Sequence, residues 1–531
     1  MKKKCLGVMI DVSRNAVMNL ETLKSYFILL KKMGYNCVFL YAEDTYEVEG
    51  EEYFGYMRGR YSISEMKEID GYASSLGIEV IPCIQTLAHL TPLSKWGKYS
   101  MDTDDILMVD DDSTYKLIDR MFKTLSSCFA TKRLHVGMDE AHMLGRGEHL
   151  DKYGYETVSE LMKRHLRRVC EIADKYGYEL MVWSDMFFRP WNDGKYELLS
   201  DKLTVPKEYI DALPSNVIPV YWNYGSGNYD AMFYNHAQLS KKTWFAGGAL
   251  TWSGFAPLNR SSMMRFPDAI ASCRRNKINN IFITMWGDDG AECSKFGVLP
   301  TLFAIAEHSR GNTDEELIKK KFKSKFGIEF DDFMLLDLPN EVALPKDSTA
   351  IVCPSKYMLY SDPFLGFLDV TVKLGEGKKY LEYSKKLSAA SKKSRKYGYL
   401  FDTQSKLCDL LADKYELGVK TRAAYEKGDK AELLRLATEE YTRVEKNVKL
   451  LTKAFEKQWM KENKPQGFEV QHYRLGGLAC RVAYCKKTLI SYAKGNISSI
   501  PELEEKLLPF RKDSESIYYN DFKKTHTSNV V

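Results

Sequence analysis

The chain of 531 residues predicts an α/β fold: a (β/α)8 barrel over residues 1–312, followed by an all-α region over 313–531. Three observations carry this reading. Short apolar, strand-like runs alternate with amphipathic helical stripes eight times in the first part, matching such a barrel in count and length. Chemistry-bearing side chains recur just after those runs, where barrels of this kind place their functional residues. The first run is followed by Ser13-Arg14-Asn15. An open, doubly wound sheet would usually bring a glycine-rich phosphate loop there.

The runs are Leu6–Ser13, Cys37–Asp44, Glu79–Thr86, Leu134–Glu140, Glu179–Met186, Val217–Tyr224, Thr243–Leu250 and Ile281–Asp288. Between them, Leu20, Leu23, Phe27 and Leu30 form a helical stripe, with Asn19 placed to cap its start and Gly34 to stop it. Ser62 and Glu65 have the capping-box spacing, and Ile63, Met66, Ile69 and Ala73 follow in register. Val158, Leu161, His165, Val169 and Ile172 make another stripe, in which His165 reads as a core-edge residue. Past residue 312 the strand-like runs thin out and Lys/Glu-rich helical patterns take over. Leu434, Ala437, Tyr441, Val444, Val448, Leu451 and Phe455 alternate spacings of three and four within Lys430–Glu462. This heptad-like seam suits one helix of an ordinary bundle, or a homodimer through the helical region.

Composition excludes several function classes. Lys+Arg 77 against Asp+Glu 72 is close to balance, so there is no electrostatic case for nucleic acid or an anionic membrane surface. No run of about 20 apolar residues is present, which argues against a membrane span. The basic start Met1–Lys4 leads into a run broken at Asp11 and Arg14, unlike a signal peptide. The 11 cysteines are scattered with no CxxC pair, against a zinc cluster. Cys5, Cys37 and Cys83 lie in apolar runs and read as buried thiols, and a cytoplasmic location follows.

The most informative stretch is His135-Val136-Gly137-Met138-Asp139-Glu140. Its alternation places His135, Gly137 and Asp139 on one face of a fourth strand, with Glu140 just past its end. Adjacent carboxylates repel, so stability gives little reason for them. Chemistry gives one: one group stays ionised while the other is held protonated as an acid. Around the same rim fall Asp11 and Arg14, Glu43 and Asp44, Gln85 and His89, and then Trp183 and Asp185. Trp222 and Tyr224, Trp252, and finally Trp286, Asp288 and Glu292 complete it. A ring of carboxylates and tryptophans suits a sugar, whose hydroxyls bond to polar groups while its C–H face stacks on indole. His142, Glu148 and His149 follow in the next loop, but their spacing makes no metal site.

This set resembles glycoside hydrolase family 20, the exo-β-N-acetylhexosaminidases. The motif His135-x-Gly137-x-Asp139-Glu140 carries the resemblance, supported by Asp11-Val12-Ser13-Arg14, by His89, and by Trp183, Trp252 and Trp286 as pocket walls. The family often has an α/β domain before the barrel. A barrel opening at residue 6, with a long helical C-terminal region, resembles a cytoplasmic bacterial-type branch. The resemblance implies release of terminal β-linked GlcNAc or GalNAc from an oligosaccharide, with no metal and no cofactor. It implies a retaining mechanism in which the substrate's acetamido oxygen is the nucleophile and an oxazolinium forms. Glu140 is then the general acid and base, with its pKa raised, and Asp139 holds the acetamido N–H. Tyr224 would donate to the acetamido oxygen and Arg14 to O3 and O4. Asp288 and Glu292 would reach O4 and O6, while His89 and His135 support the network. An O-GlcNAcase-like enzyme and a non-catalytic sugar-binding barrel are the alternatives.

Overall fold

The computed structural model describes residues 4–196, 201–342, 350–366, 368–508, 522–527 and 529. The first residues of the basic start, Met1–Lys3, lie outside them. The chain divides into two compact units. One comprises Met1–Ala249, Met263–Met285 and Leu302–Thr313; the other comprises Leu250–Ser262, Trp286–Thr301 and Asp314–Val531. The two segments that follow the seventh and eighth strands therefore belong to the second unit, where a single boundary near residue 312 was expected.

The first unit is built on a closed barrel of eight parallel strands in sequence order. They are β1 (Leu6–Asp11), β2 (Cys37–Tyr41), β3 (Glu79–Cys83), β4 (Arg133–His135), β5 (Glu179–Trp183), β6 (Ile218–Trp222), β7 (Trp244–Gly248) and β8 (Ile281–Met285). Helices run between them. Asn19 caps Leu20–Met33 by accepting from the Thr22 N–H at 2.9 Å, and Gly34 closes that helix at φ 95°. The Ser62–Glu65 capping box opens Ile63–Ser75. The barrel interior is aromatic. Phe39 of β2 stacks on Phe282 of β8 at 4.1 Å, and Trp183 of β5 lies 4.4 Å from the His135 ring of β4. Phe39 also meets His135 and Trp244. Several of these strands are not neighbours, so the rings meet across the lumen and fill it. His165 is wholly buried between the Tyr115 hydroxyl (3.2 Å) and the Thr86 carbonyl (3.0 Å).

Three expectations are corrected. β4 ends at His135, not at Glu140, so His135, Gly137 and Asp139 do not share one strand face. Gly137, Met138 and Glu140 adopt left-handed backbone, at φ 72°, 71° and 52°. The cause lies in the adjacent loop. Gln85 packs over Gly137, where a Cβ would come within 2.0 Å of its Oε1, and that oxygen accepts the Met138 N–H at 3.0 Å. Cys5 and Cys37 form a disulfide, whereas Cys83 is the buried thiol expected. Gly7, paired with Cys37 in the sheet, leaves room for that bridge: a Cβ there would lie 2.6 Å from the Cys37 sulfur.

The second unit is helical. Lys378–Lys393, Gly398–Lys414, Glu440–Glu462 and Phe468–Ala493 pack in succession. The expected seam holds at Ala437, Tyr441, Val444, Val448, Leu451 and Phe455, all buried. The third correction is upstream. The helix breaks at Glu439, and Lys430–Thr438 buries Leu433 and Leu436 beside Ala437 while Leu434 faces outward. Among the described residues no helix is long and apolar enough to cross a membrane.

Candidate active site

The C-terminal ends of β1 to β5 bring one polar network together within the first unit. After β1, Arg14 Nη2 reaches Glu43 Oε1 at 3.0 Å and His89 Nδ1 at 3.4 Å. After β2, Glu43 is buried and accepts from the Tyr41 hydroxyl at 3.2 Å. After β3, Gln85 Nε2 donates to Tyr41 Oη at 3.0 Å and to Asp139 Oδ1 at 2.7 Å. His89 Nε2 stands 3.3 Å from Asp139 Oδ2 and 3.7 Å from Glu140 Oε2. After β5, Asp185 is wholly buried and accepts the Glu140 N–H at 2.9 Å. Arg189, four residues on, places Nη2 3.8 Å from Glu140 Oε1.

The two adjacent carboxylates therefore differ in surroundings. The Asp139 side chain is 13% exposed and braced on both oxygens, whereas that of Glu140 is 40% exposed. Burial alone would raise the Asp139 carboxyl, but the His89 charge and the Gln85 amide outweigh it and hold it below the usual aspartate range. Burial likewise opposes a charge on His89, but Asp139 prevails and pushes the imidazole up to about 9. Burial pushes Glu43 up to about 7 although Arg14 and His89 pull the other way. Asp185 rises to about 7, first through burial and then through the Asp139 charge. His135 is pushed down to about 3 by burial, so it stays neutral, and its Nδ1 accepts the Gly137 N–H at 3.1 Å. Its part is to hold the bend that leads to Asp139.

The remaining expected residues divide between the units. In the first, Trp183 is buried against His135, and Tyr224, half-buried, stacks on Trp222 with ring centroids 5.3 Å apart. Trp252, Trp286, Asp288 and Glu292 belong to the second unit. There Asp288 is exposed and both indoles are half-buried. Glu292 is not a rim carboxylate: it is buried, with Lys356 Nζ at 2.9 Å and Arg474 at 3.3 Å. Sequence reading gave no role to Gln85 or Asp185 and overlooked Tyr41 and Arg189. The signal for Arg189 was its i+4 spacing from Asp185. Elsewhere in the first unit, Asp110, His149 and Glu156 bring possible metal-ligand atoms within 4.8 Å of one another. Arg164 already donates to both carboxylates, at 2.7 and 2.6 Å.

Residues 7–223 match the model for the glycosyl hydrolase family 20 catalytic domain, and residues 331–519 match the glycoside hydrolase 20C C-terminal domain. The chain belongs to glycoside hydrolase family 20. Hexosaminidase D of Bos taurus is 25% identical over 240 residues, covering 44% of this family 20 chain and 66% of that protein. Hexosaminidase D of Homo sapiens is 27% identical over 213 residues, covering 38% and 41%. The chain thus spans less than two thirds of each of these relatives. A solved structure of a family 20 exo β-N-acetylglucosaminidase from Vibrio harveyi, in complex with N-acetylglucosamine, is 14% identical. It covers 63% of this chain and 59% of its own, with a TM-score of 0.47.

Proposed function

We propose that this family 20 chain is an exo-acting β-N-acetylhexosaminidase, releasing terminal β-linked GlcNAc or GalNAc with retention. The observation that carries the reading is the unequal treatment of the adjacent carboxylates: Asp139 is held ionised by His89 and Gln85, and Glu140 stands more open beside it. A charge that is fixed and desolvated suits a group that stabilises developing positive charge. A more accessible carboxyl suits one that must exchange protons with a leaving group and then with water.

In this mechanism the substrate's 2-acetamido oxygen attacks the anomeric carbon, as in those glycosidases where the substrate replaces the enzyme nucleophile. Glu140 protonates the departing glycosidic oxygen as its bond to carbon breaks. Asp139 accepts the acetamido N–H and balances the charge of the oxazolinium. Tyr224 donates to the acetamido oxygen. Water then adds to the anomeric carbon, giving its proton to Glu140, and the acetamido group is restored. Arg14, oriented by Glu43, donates from its guanidinium to O3 and O4.

The test is a pair of aryl glycosides. Turnover of the β-N-acetylglucosaminide without turnover of the β-glucoside supports acetamido participation, and equal turnover of both rejects it. In the same assay Glu140→Gln should slow glycosides with poor leaving groups far more than activated ones; equal losses would remove the acid role.

A further inference from the structure

We infer that Asp185 and Arg189 are positioning residues for Glu140, Asp185 fixing its main chain and Arg189 its carboxylate. This rests on the proposed role of Glu140 as the proton donor, and it adds a support the motif itself does not contain.

Glu140 sits at φ 52°, a left-handed conformation that costs a non-glycine residue about 1–2 kcal/mol and persists only where its surroundings enforce it. Asp185 supplies that enforcement. It starts the short helical turn after β5, has no solvent exposure, and takes the Glu140 N–H on Oδ2 at 2.9 Å. Arg189 ends up on the same side of that turn. Its Nε is 3.6 Å from Asp185 Oδ2 and its Nη2 is 3.8 Å from Glu140 Oε1. Its guanidinium also lies over the Trp222 and Tyr196 rings, at 5.5 and 5.7 Å, which confines it to this place.

A merely structural aspartate does not account for the geometry. An amide would accept the same N–H with less cost of desolvation, so the carboxylate adds only charge. Its second oxygen, Oδ1, is buried without a hydrogen-bond partner, an arrangement buried polar groups rarely keep unless function requires it. The burial and the neighbouring Asp139 that push Asp185 up to about 7 leave this carboxyl ready to change charge near neutrality. The charges around Glu140 are then four: His89 at 3.7 Å from the loop after β3, Asp139 in its own loop, and Arg189 and Asp185 after β5. Asp185 when ionised and Arg189 thus set charges of opposite sign beside Glu140.

The experiment uses the full chain and two isosteric or near-isosteric variants. For Asp185→Asn, the basic limb of the pH profile of kcat/KM on an aryl β-N-acetylglucosaminide should move down by about half a unit or more. For Arg189→Gln it should move up by a similar amount. A structural role alone would not move the limb in opposite directions. A limb unmoved in both variants, while Glu140→Gln still shows its leaving-group dependence, overturns the charge role. The anchor is read without activity, from a crystal structure of Asp185→Ala. Glu140 should leave its left-handed conformation, with kcat falling about 10²-fold from the displacement. A Glu140 found unmoved overturns the positioning role. Loss of the leaving-group dependence in Glu140→Gln would instead remove the general-acid reading, and the Asp185→Ala structure would still decide the anchor.

Discussion

His89 and Asp139 face one another at 3.3 Å, imidazole against carboxylate, each holding the other in its charged form. The histidine is raised from 6.5 to about 9, so its contribution to stability is complete below about 6.5 and is lost as pH rises through about 9. The aspartate is lowered from 3.8, so its contribution is present above that value and is lost as pH falls through the depressed one. The pair therefore stabilises the fold between those limits. In Asp139→Asn the His89 pKa should fall, because burial and the Arg14 charge press it down and the carboxylate that outweighs them is gone. A melting-temperature series should show the parent losing its advantage over this variant between about pH 7 and about pH 10. An imidazole that titrates near 6.5 in the parent would refute the coupling.

The same Asp139→Asn change removes the fixed charge proposed to balance the oxazolinium. Loss of comparable preorganised stabilisation costs about 10²–10³ in kcat. Steady-state rates on an aryl β-N-acetylglucosaminide check it, and a near-parent kcat would reject the role.

Gly137→Ala tests the bend between β4 and Asp139. The new Cβ would meet the Gln85 side chain at 2.0 Å and the Ile84 carbonyl at 2.8 Å, at a φ of 72°. The first contact pushes away the amide that holds Asp139, and the second is with backbone that cannot yield. Backbone strain and overpacking together should cost about 2–4 kcal/mol, with kcat falling as well. Thermal melting and kcat measured together decide it. A variant with parent-like melting would show the bend to be tolerant.

These contacts explain what the sequence made legible. Strand runs and the polar residues just past them, among them Arg14, His89, Asp139 and Asp185, show themselves locally because a parallel barrel places one kind of position at every strand end. The early end of β4 is not local: Val136-Gly137-Met138 alternates like a strand, and only Gln85, arriving from the loop after β3, bends it. Glu292 was misread for the same reason. Its partners Lys356 and Arg474 lie far along the chain, and nothing near residue 292 announces them. The break at Glu439 also escaped, because Ala437 stays buried on its near side and only Leu434 gives way to Leu433 and Leu436.

Asp102 ties down the loop that follows Glu140. Buried, it accepts the N–H groups of Gly145 (2.7 Å), Gly147 (3.1 Å) and His149 (2.9 Å). Asp102→Ala strands three donors, and hydrogen bonds to a charged acceptor contribute about 1.5–3 kcal/mol each. The loop opens sooner than the barrel unfolds, so the loss should appear as faster hydrogen exchange at residues 145–149. Asp102→Asn, which keeps one acceptor oxygen, should fall between that variant and the parent. Unchanged exchange in Asp102→Ala would show that water replaces the carboxylate.

Lys356 offers the corresponding test in the second unit. Its ammonium is buried, 2.9 Å from Glu292 Oε1 and 3.0 Å from Asp289 Oδ2, and these carboxylates hold its pKa above the ordinary lysine value against burial. Lys356→Met removes one partner of a buried pair and leaves Glu292 facing Arg474 alone, a change that typically costs about 3–5 kcal/mol. Adding Glu292→Gln removes the uncompensated charge, so the double variant should regain part of the loss, a coupling expected of residues in direct contact. Hydrogen exchange over residues 354–360 reports on this unit without requiring the whole chain to unfold in one step. If the double variant proves no more protected than Lys356→Met, the stranded charge is not what destabilises the single one, and the lysine acts through its aliphatic packing instead.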